Sequence, residues 1–153
     1  MPRSHRVAVL GGGSFGTVIA NLIAVNGHRV ALWVRNAERV DLINTLRENR
    51  EYLPGYRLDD GLRATTSLAD AVSDTDIVFV AVPSASFRQI VRDVAPLVAP
   101  QTCLVSLTKG IEPGGFRLMS EILREELPAN PRAVLSGPNL ASEIAAGQVT
   151  GSV

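Results

Sequence analysis

Apolar residues fill positions 7–10 without a break, and behind them Phe15, Val18, Ile19, Leu22 and Ile23 recur at helical spacing. The first pattern predicts a buried strand. The second predicts a helix with one apolar stripe, stopped by Asn26-Gly27. The alternation continues along the chain. Positions 30–34 predict a second strand, and Val40, Ile43 and Leu46-Arg47 a helix from 37 to about 48. Tyr52-Leu53-Pro54-Gly55 and Asp59-Asp60-Gly61 predict a loop, and Ser67-Leu68-Ala69-Asp70 a short capped helix. The strongest strand signal is Ile77-Val78-Phe79-Val80-Ala81-Val82, whose continuous apolar character predicts burial on both faces; Pro83 ends it. Phe87, Ile90, Val91, Val94 and Leu97 then mark a helix, 103–107 a strand, Phe116, Met119, Leu123 and Leu127 a helix, and 132–135 a last strand before a short helix at 141–146.

Strands alternating with helices imply right-handed βαβ units and a parallel sheet covered on both faces. The predicted fold class is therefore α/β: a doubly wound parallel sheet, one domain over residues 1–153. Ligands of such sheets sit at the carboxyl ends of the strands. The candidate loops are 11–16, Arg35-Asn36, 83–87, Thr108-Lys109-Gly110 and 136–139.

The first of these loops, Gly11-Gly12-Gly13-Ser14-Phe15-Gly16, is a Gly-x-Gly-x-x-Gly run between a strand and a helix, the context that makes the sheet Rossmann-type. Gly11 permits the tight turn, Gly13 lets a pyrophosphate approach the backbone, and Gly16 lets the helix pack on the strand. The helix N-terminus offers free N–H groups to phosphates. After the second strand no acid stands ready for a ribose 2′-hydroxyl. Arg35 stands there instead and suits a 2′-phosphate, which tilts the cofactor from NAD toward NADP; its alternative is a solvated strand-end charge. Glu38, slightly later, keeps NAD open. Lys109, in a turn at the ligand edge, suits a carbonyl or a phosphate dianion, or is a surface lysine. Gly137 brings backbone donors near a ligand, and Asn139 either meets substrate or caps the short helix. His5 and His28 fall at strand starts, away from this edge. No cluster has metal-ligand spacing, and no Ser/His/Asp set supports nucleophilic catalysis.

Composition narrows the partners. Fifteen basic and fifteen acidic residues cancel, so no net field draws the chain to nucleic acid or membrane. Cys103, the single cysteine, reads as a core residue and fits a reducing, cytoplasmic compartment. Arg3, His5 and Arg6 precede an uncharged stretch from 7 to 28, but glycines and asparagines interrupt it, so it is neither a signal peptide nor a membrane span.

In order along the chain stand Val9-Leu10-Gly11-Gly12-Gly13-Ser14-Phe15-Gly16-Thr17, Leu32-Trp33-Val34-Arg35, Tyr52-Leu53-Pro54-Gly55, Val80-Ala81-Val82-Pro83-Ser84, Ser106-Leu107-Thr108-Lys109-Gly110-Ile111-Glu112 and Leu135-Ser136-Gly137-Pro138-Asn139-Leu140-Ala141. Together they resemble the N-terminal domain of bacterial NAD(P)-dependent sn-glycerol-3-phosphate dehydrogenases. The first segment is common to many dehydrogenases; the Thr-Lys-Gly and Ser-Gly-Pro segments together are selective. The resemblance implies hydride transfer between NAD(P)H and dihydroxyacetone phosphate, giving sn-glycerol 3-phosphate for phospholipid synthesis. It implies a cofactor set of Gly11, Gly13, Ser14, Phe15, Gly16, Arg35, Pro83, Lys109 and Ala141. Lys109, Gly137 and Asn139 form the substrate side, with Lys109 as the catalytic residue and no metal. Asn139 stands where the family more usually has Ser or Thr.

The family continues into an all-helical second domain that carries another essential lysine, the proposed proton acceptor. The resemblance therefore implies a truncated half that binds cofactor and turns over little, with a homodimer open to the full-length parent. Two other readings remain: a hydroxyacid or ketopantoate dehydrogenase, and a non-catalytic nucleotide-sensing module.

Overall fold

The computed structural model describes residues 4–153; Arg3 of the basic N-terminal group lies outside them. Strands β1 (Arg6–Leu10), β2 (Arg29–Trp33), β3 (Leu62–Thr65), β4 (Ile77–Val80), β5 (Cys103–Ser106) and β6 (Arg132–Val134) form one sheet in the order β3-β2-β1-β4-β5-β6. Every pairing is parallel. The helices are α1 (Ser14–Val25), α2 (Ala37–Leu46), α3 (Leu68–Val72), α4 (Ser84–Val94), α5 (Met119–Glu126) and α6 (Ala141–Ala145). This is the doubly wound Rossmann-type sheet expected. None of these helices is long and apolar enough to cross a membrane.

Alternation along the strands divides the core. Ala8 and Leu10 face Phe87, Ile90, Val91, Ile122 and Leu123 of α4 and α5. Val7 and Val9 face Val18, Ile19, Ala20 and Ile43 of α1 and α2. The chain runs outward from β1 to β3, then crosses back to lay β4 against the other side of β1. The topological switch point thus lies between β1 and β4. Register levels the strand ends, because Leu10 pairs with both Trp33 and Val80, and Val80 with Ser106. Gly11, Val34, Ala81 and Leu107 consequently emerge along one edge.

Several expectations change. The run 77–82 predicted burial on both faces, yet β4 stops at Val80 and leaves Ile77 and Phe79 half-buried. Phe116 does not lie on a helix: it sits at φ 54° in a turn, 76% exposed, and α5 begins at Met119. Leu22, Leu46 and Leu97, placed on apolar stripes, are exposed: Thr17, Ala20 and Ala24 complete the buried face of α1 instead of Leu22, Leu46 is the last residue of α2, and Leu97 lies beyond the end of α4. Cys103 is half-buried rather than core. β3, where the sequence pattern predicts no element, is a strand. β6 is exposed throughout, and Ser136 and Val153 exchange backbone hydrogen bonds beyond it at 3.0 and 2.8 Å.

Candidate dinucleotide site

The loop after β1 is built by close approach. Gly11 has φ 123°, and a Cβ there would lie 2.2 Å from the Ala81 carbonyl oxygen. A Cβ on Gly16 would lie 2.0 Å from the Gly11 carbonyl oxygen. Both glycines are demanded by the fold itself. Gly13 is different: its φ of −75° suits any residue, and a Cβ there would meet nothing within 4 Å. Nothing inside the protein requires glycine at 13, and its open face lines a cleft of about 360 Å³.

Helix α1 starts at that face with no side-chain cap and no acid in its first turn. By contrast, the Asn36 side chain caps α2 by accepting from Arg39 N at 2.9 Å, and Ser67 caps α3 by accepting from Asp70 N at 3.1 Å. The orphan N–H groups at the start of α1 therefore remain open to an anion. Together with the cradle at Gly13, they fit a dinucleotide pyrophosphate.

The cleft is walled by Trp33, Val34 and Arg35 from the end of β2, and by Ala81, Val82 and Pro83 beyond β4. Trp33 is buried, with its indole N–H donating to the Thr66 carbonyl at 2.9 Å. Arg35 is exposed, and its guanidinium reaches Ser86 Oγ at 3.5 Å. Glu38 is exposed and is not among the lining residues.

Beyond the Ala81–Pro83 ridge lies a second cleft of about 330 Å³, walled by Ser14, Phe15, Lys109, Asn139 and Ala141. Its floor is strapped by Thr108. The Thr108 hydroxyl donates to the Val82 carbonyl at 2.7 Å, and Leu107 N donates to the Val80 carbonyl at 2.9 Å. Lys109 is exposed on the resulting turn and lines a further cleft with Gly137. Of the expected residues, Gly11, Gly13, Arg35 and Pro83 line the first cleft, and Ser14, Phe15, Pro83, Lys109, Asn139 and Ala141 the second. Gly16 lies beneath, in the packing.

Asn139 is not a helix cap. Leu140 takes that position, while Asn139 is buried with Nδ2 donating to Ser152 Oγ at 2.7 Å and Oδ1 without a partner. Gly137 packs against the chain end, where a Cβ would lie 2.4 Å from the Gly151 carbonyl oxygen. His5 and His28 pair with each other at the opposite edge, His5 N donating to His28 Nδ1 at 3.2 Å.

Sequence reasoning missed three residues. Arg39 and Tyr52 line the first cleft. Buried Asn49 donates to the Gly12 carbonyl at 3.0 Å and to Thr17 Oγ1 at 2.8 Å, tying the loop after α2 to the glycine loop. Arg39 had a signal, since it is a second arginine, four residues after Arg35, at the start of the helix that follows β2. Asn49 had none, and Tyr52 only its place in the Tyr52-Leu53-Pro54-Gly55 segment; the fold of the 47–61 loop brings both here. That loop is pinned by the Arg47 guanidinium, which donates to the carbonyls of Asp59 and Leu62.

The arrangement can be compared with known proteins. The chain is 54% identical over all its 153 residues to the NAD(P)+ glycerol-3-phosphate dehydrogenase of Teredinibacter turnerae, covering 45% of that protein. It is 53% identical to that of Saccharophagus degradans, covering 43%. The crystal structure of glycerol-3-phosphate dehydrogenase from Coxiella burnetii superposes with a TM-score of 0.91 at 35% identity, over 97% of this chain and 46% of that one. The chain thus spans less than half the length of these relatives. The family profile described as the NAD-dependent glycerol-3-phosphate dehydrogenase N-terminus matches residues 6–153, and the chain belongs to that family.

Proposed function

We propose that residues 1–153 form the dinucleotide-binding domain of an NAD(P)-dependent oxidoreductase that interconverts sn-glycerol 3-phosphate and dihydroxyacetone phosphate, a cytoplasmic enzyme feeding phospholipid synthesis. The observation that carries the reading is that the two clefts adjoin, sharing the Ala81–Pro83 wall, with Arg35 and Gly13 in the first and Lys109 in the second. A dinucleotide lying along them puts adenosine beside Arg35, pyrophosphate on the start of α1, and the nicotinamide end by Phe15, Pro83 and Ala141. The nicotinamide, when bound, supplies or takes up the hydride.

The chain's own residues position and polarise. Lys109 is the titratable side chain lining the second cleft. Its ammonium stabilises charge on the carbonyl oxygen of the ketone, or holds the phosphate dianion. Asn139 borders the same cleft, but its unpartnered Oδ1 is buried, so the side chain would have to turn before it could accept from a substrate hydroxyl. Turnover also needs a proton acceptor and substrate clamps. We assign those to the longer protein of which this is the cofactor half, and expect the chain alone to bind cofactor with little turnover.

Trp33, the only tryptophan, lines the adenosine cleft and reports on it. Titration with NADPH and NADH should change its fluorescence saturably, NADPH binding more tightly because Arg35 meets a phosphate and no carboxylate lines the cleft. Equal affinities would remove Arg35 from the account, and no response to either would remove the cofactor reading. In the full-length parent, dihydroxyacetone phosphate should be reduced and 2-keto acids should not. The reverse preference would favour a hydroxyacid or ketopantoate enzyme.

A further inference from the structure

Arg39 lies in the wall of the adenosine cleft, four residues after Arg35 and in the first turn of α2. Its guanidinium carbon stands 4.6 Å from the centre of the Tyr52 ring. One of its amino groups is held by the Glu51 carboxylate, and its Nε is buried without a hydrogen-bond partner. The side chain of Arg39 is 20% exposed and that of Glu51 is 58% exposed. The cation is therefore oriented by an aromatic face, but its donors are only partly used, and the acid that uses them stands in solvent.

We propose that Arg39 is a second cation for the 2′-phosphate of NADP, and that Glu51 is its internal counter-ion, displaced by that phosphate. The exchange sets how strongly the cleft prefers NADP to NAD. The proposal rests on the cofactor reading of this cleft. Arg35 and Arg39 both line the cleft and no carboxylate does, so an anion entering beside α2 meets two guanidinium forks and no opposing charge in the wall. A phosphate monoester carries close to two negative charges and three acceptor oxygens. It can bridge the amino ends of both forks, replacing the single carboxylate contact that Glu51 makes on Arg39. A solvent-exposed ion pair is weak, so the acid is easily displaced. NAD offers a neutral hydroxyl at the same point and cannot compete with Glu51. With NAD the Arg39–Glu51 pair stays closed and contributes nothing to affinity. Glu51 therefore lowers affinity for the phosphorylated cofactor alone.

The test is calorimetric titration of the chain with NADPH, NADH, adenosine 2′,5′-bisphosphate and adenosine 5′-phosphate. Arg39→Gln should weaken NADPH and the bisphosphate at least about tenfold, as expected for lost hydrogen bonds to a charged group, with the loss falling on the 2′-phosphorylated ligands. Glu51→Gln should tighten the same two ligands about two- to fivefold, the range of an exposed ion pair. In an Arg39→Gln background that gain should vanish. Arg39→Lys, which keeps the charge and loses the fork, should fall between the native chain and Arg39→Gln. Equal losses for NADPH and NADH in Arg39→Gln would make Arg39 a wall residue and overturn the proposal. So would a Glu51→Gln gain that survives without Arg39. If Arg39→Gln lowers the melting temperature too far for titration, Glu51→Gln decides alone, since its side chain is mostly in solvent: no gain for NADPH overturns the proposal. A native chain that binds neither dinucleotide brings down the cofactor reading as well, whereas one that binds both with unmoved variants brings down this proposal only.

Discussion

Gly11, Gly13 and Gly16 are equivalent letters in the sequence and unequal in the structure. Gly11 and Gly16 have no room for a Cβ, and Gly11 also has a left-handed φ, whereas Gly13 has an ordinary φ and empty space before it. Substitution by alanine should separate the two roles. Gly11→Ala combines backbone strain with overpacking against the Ala81 carbonyl, and should cost about 2–4 kcal/mol of folding stability. Gly16→Ala, which lacks the positive φ, should cost about 1–3 kcal/mol. Gly13→Ala should cost no more than about 1 kcal/mol, the disfavour of alanine against glycine at the N-cap of α1. It should nonetheless weaken dinucleotide binding about tenfold or more, because its methyl occupies the space the pyrophosphate needs. Urea melts and titrations of the three variants measure both quantities. A Gly13→Ala protein with native affinity would show that no phosphate lies over that face.

At the scale of elements, α4, α5 and the turn that follows Lys109 are joined by charge. Arg88 of α4 makes a bidentate pair with Glu112 at 2.5 and 2.9 Å, and also reaches Glu125 and Glu126 of α5. Arg92 adds a 3.0 Å bond to Glu126. The Arg88 side chain is 20% exposed, and those of Glu112 and Glu126 are 17% and 16%, so the network is partly shielded. The hydrogen bonds from Arg88 hold the Glu112 carboxyl below the usual carboxylate range; those from Arg92, then Arg88, do the same for Glu126. A lowered folded pKa gives stability that is fully present above the unfolded value, about 4.3 for glutamate, and lost as pH falls through the folded value. Arg88→Leu should therefore destabilise the chain at neutral pH, where these carboxylates are charged and accept from it. The gap from the native chain should close as the glutamates protonate below about pH 4. A gap that persists in acid would mean that Arg88 acts through packing alone. None of this network was legible in the sequence, since its members are far apart and look like ordinary surface charges. The elements were legible wherever burial was strong: β1, β4, α1 and α4 announce themselves by apolar runs or stripes. β3 escaped because Leu62-Arg63-Ala64-Thr65 is an edge strand with alternating burial, too short for its period to stand out after the turn residues 59–61. Phe116 departs from its apolar spacing because hydrophobicity does not guarantee burial; its turn is closed by Ile111 and Leu118 bridging on either side, which leaves the ring outside. The site was legible as loops, because the strand ends set it, but not as the side chains that the 47–61 loop folds back over it.

For the whole molecule, the candidate groove matters because it crosses the switch point. One end rests on the β1–β2 side and the other on loops after β4 and β5. The two sides already share the β1–β4 ladder, and Ala81 N donates to the Leu10 carbonyl at 2.8 Å just below the glycine loop. A dinucleotide spanning the groove binds only where both sides are folded and correctly placed, so its binding energy adds to the cooperativity of the sheet as well as to its stability. At a free concentration of one hundred times Kd, linkage supplies about 2.7 kcal/mol. For a chain of this length, each kcal/mol raises the melting temperature by about 2–4 °C. NADPH at that concentration should therefore raise Tm by about 5–10 °C. Calorimetry should show one transition both with and without ligand, with calorimetric and van't Hoff enthalpies in agreement. Gly13→Ala should melt near the native temperature without ligand and, with affinity about tenfold weaker, lose about half of the shift or more at the same NADPH concentration. Two resolved transitions, with only the earlier or only the later moved by NADPH, would place the whole cofactor on one side of the switch point. The second cleft would then need a different occupant, and Lys109 a role away from the nicotinamide.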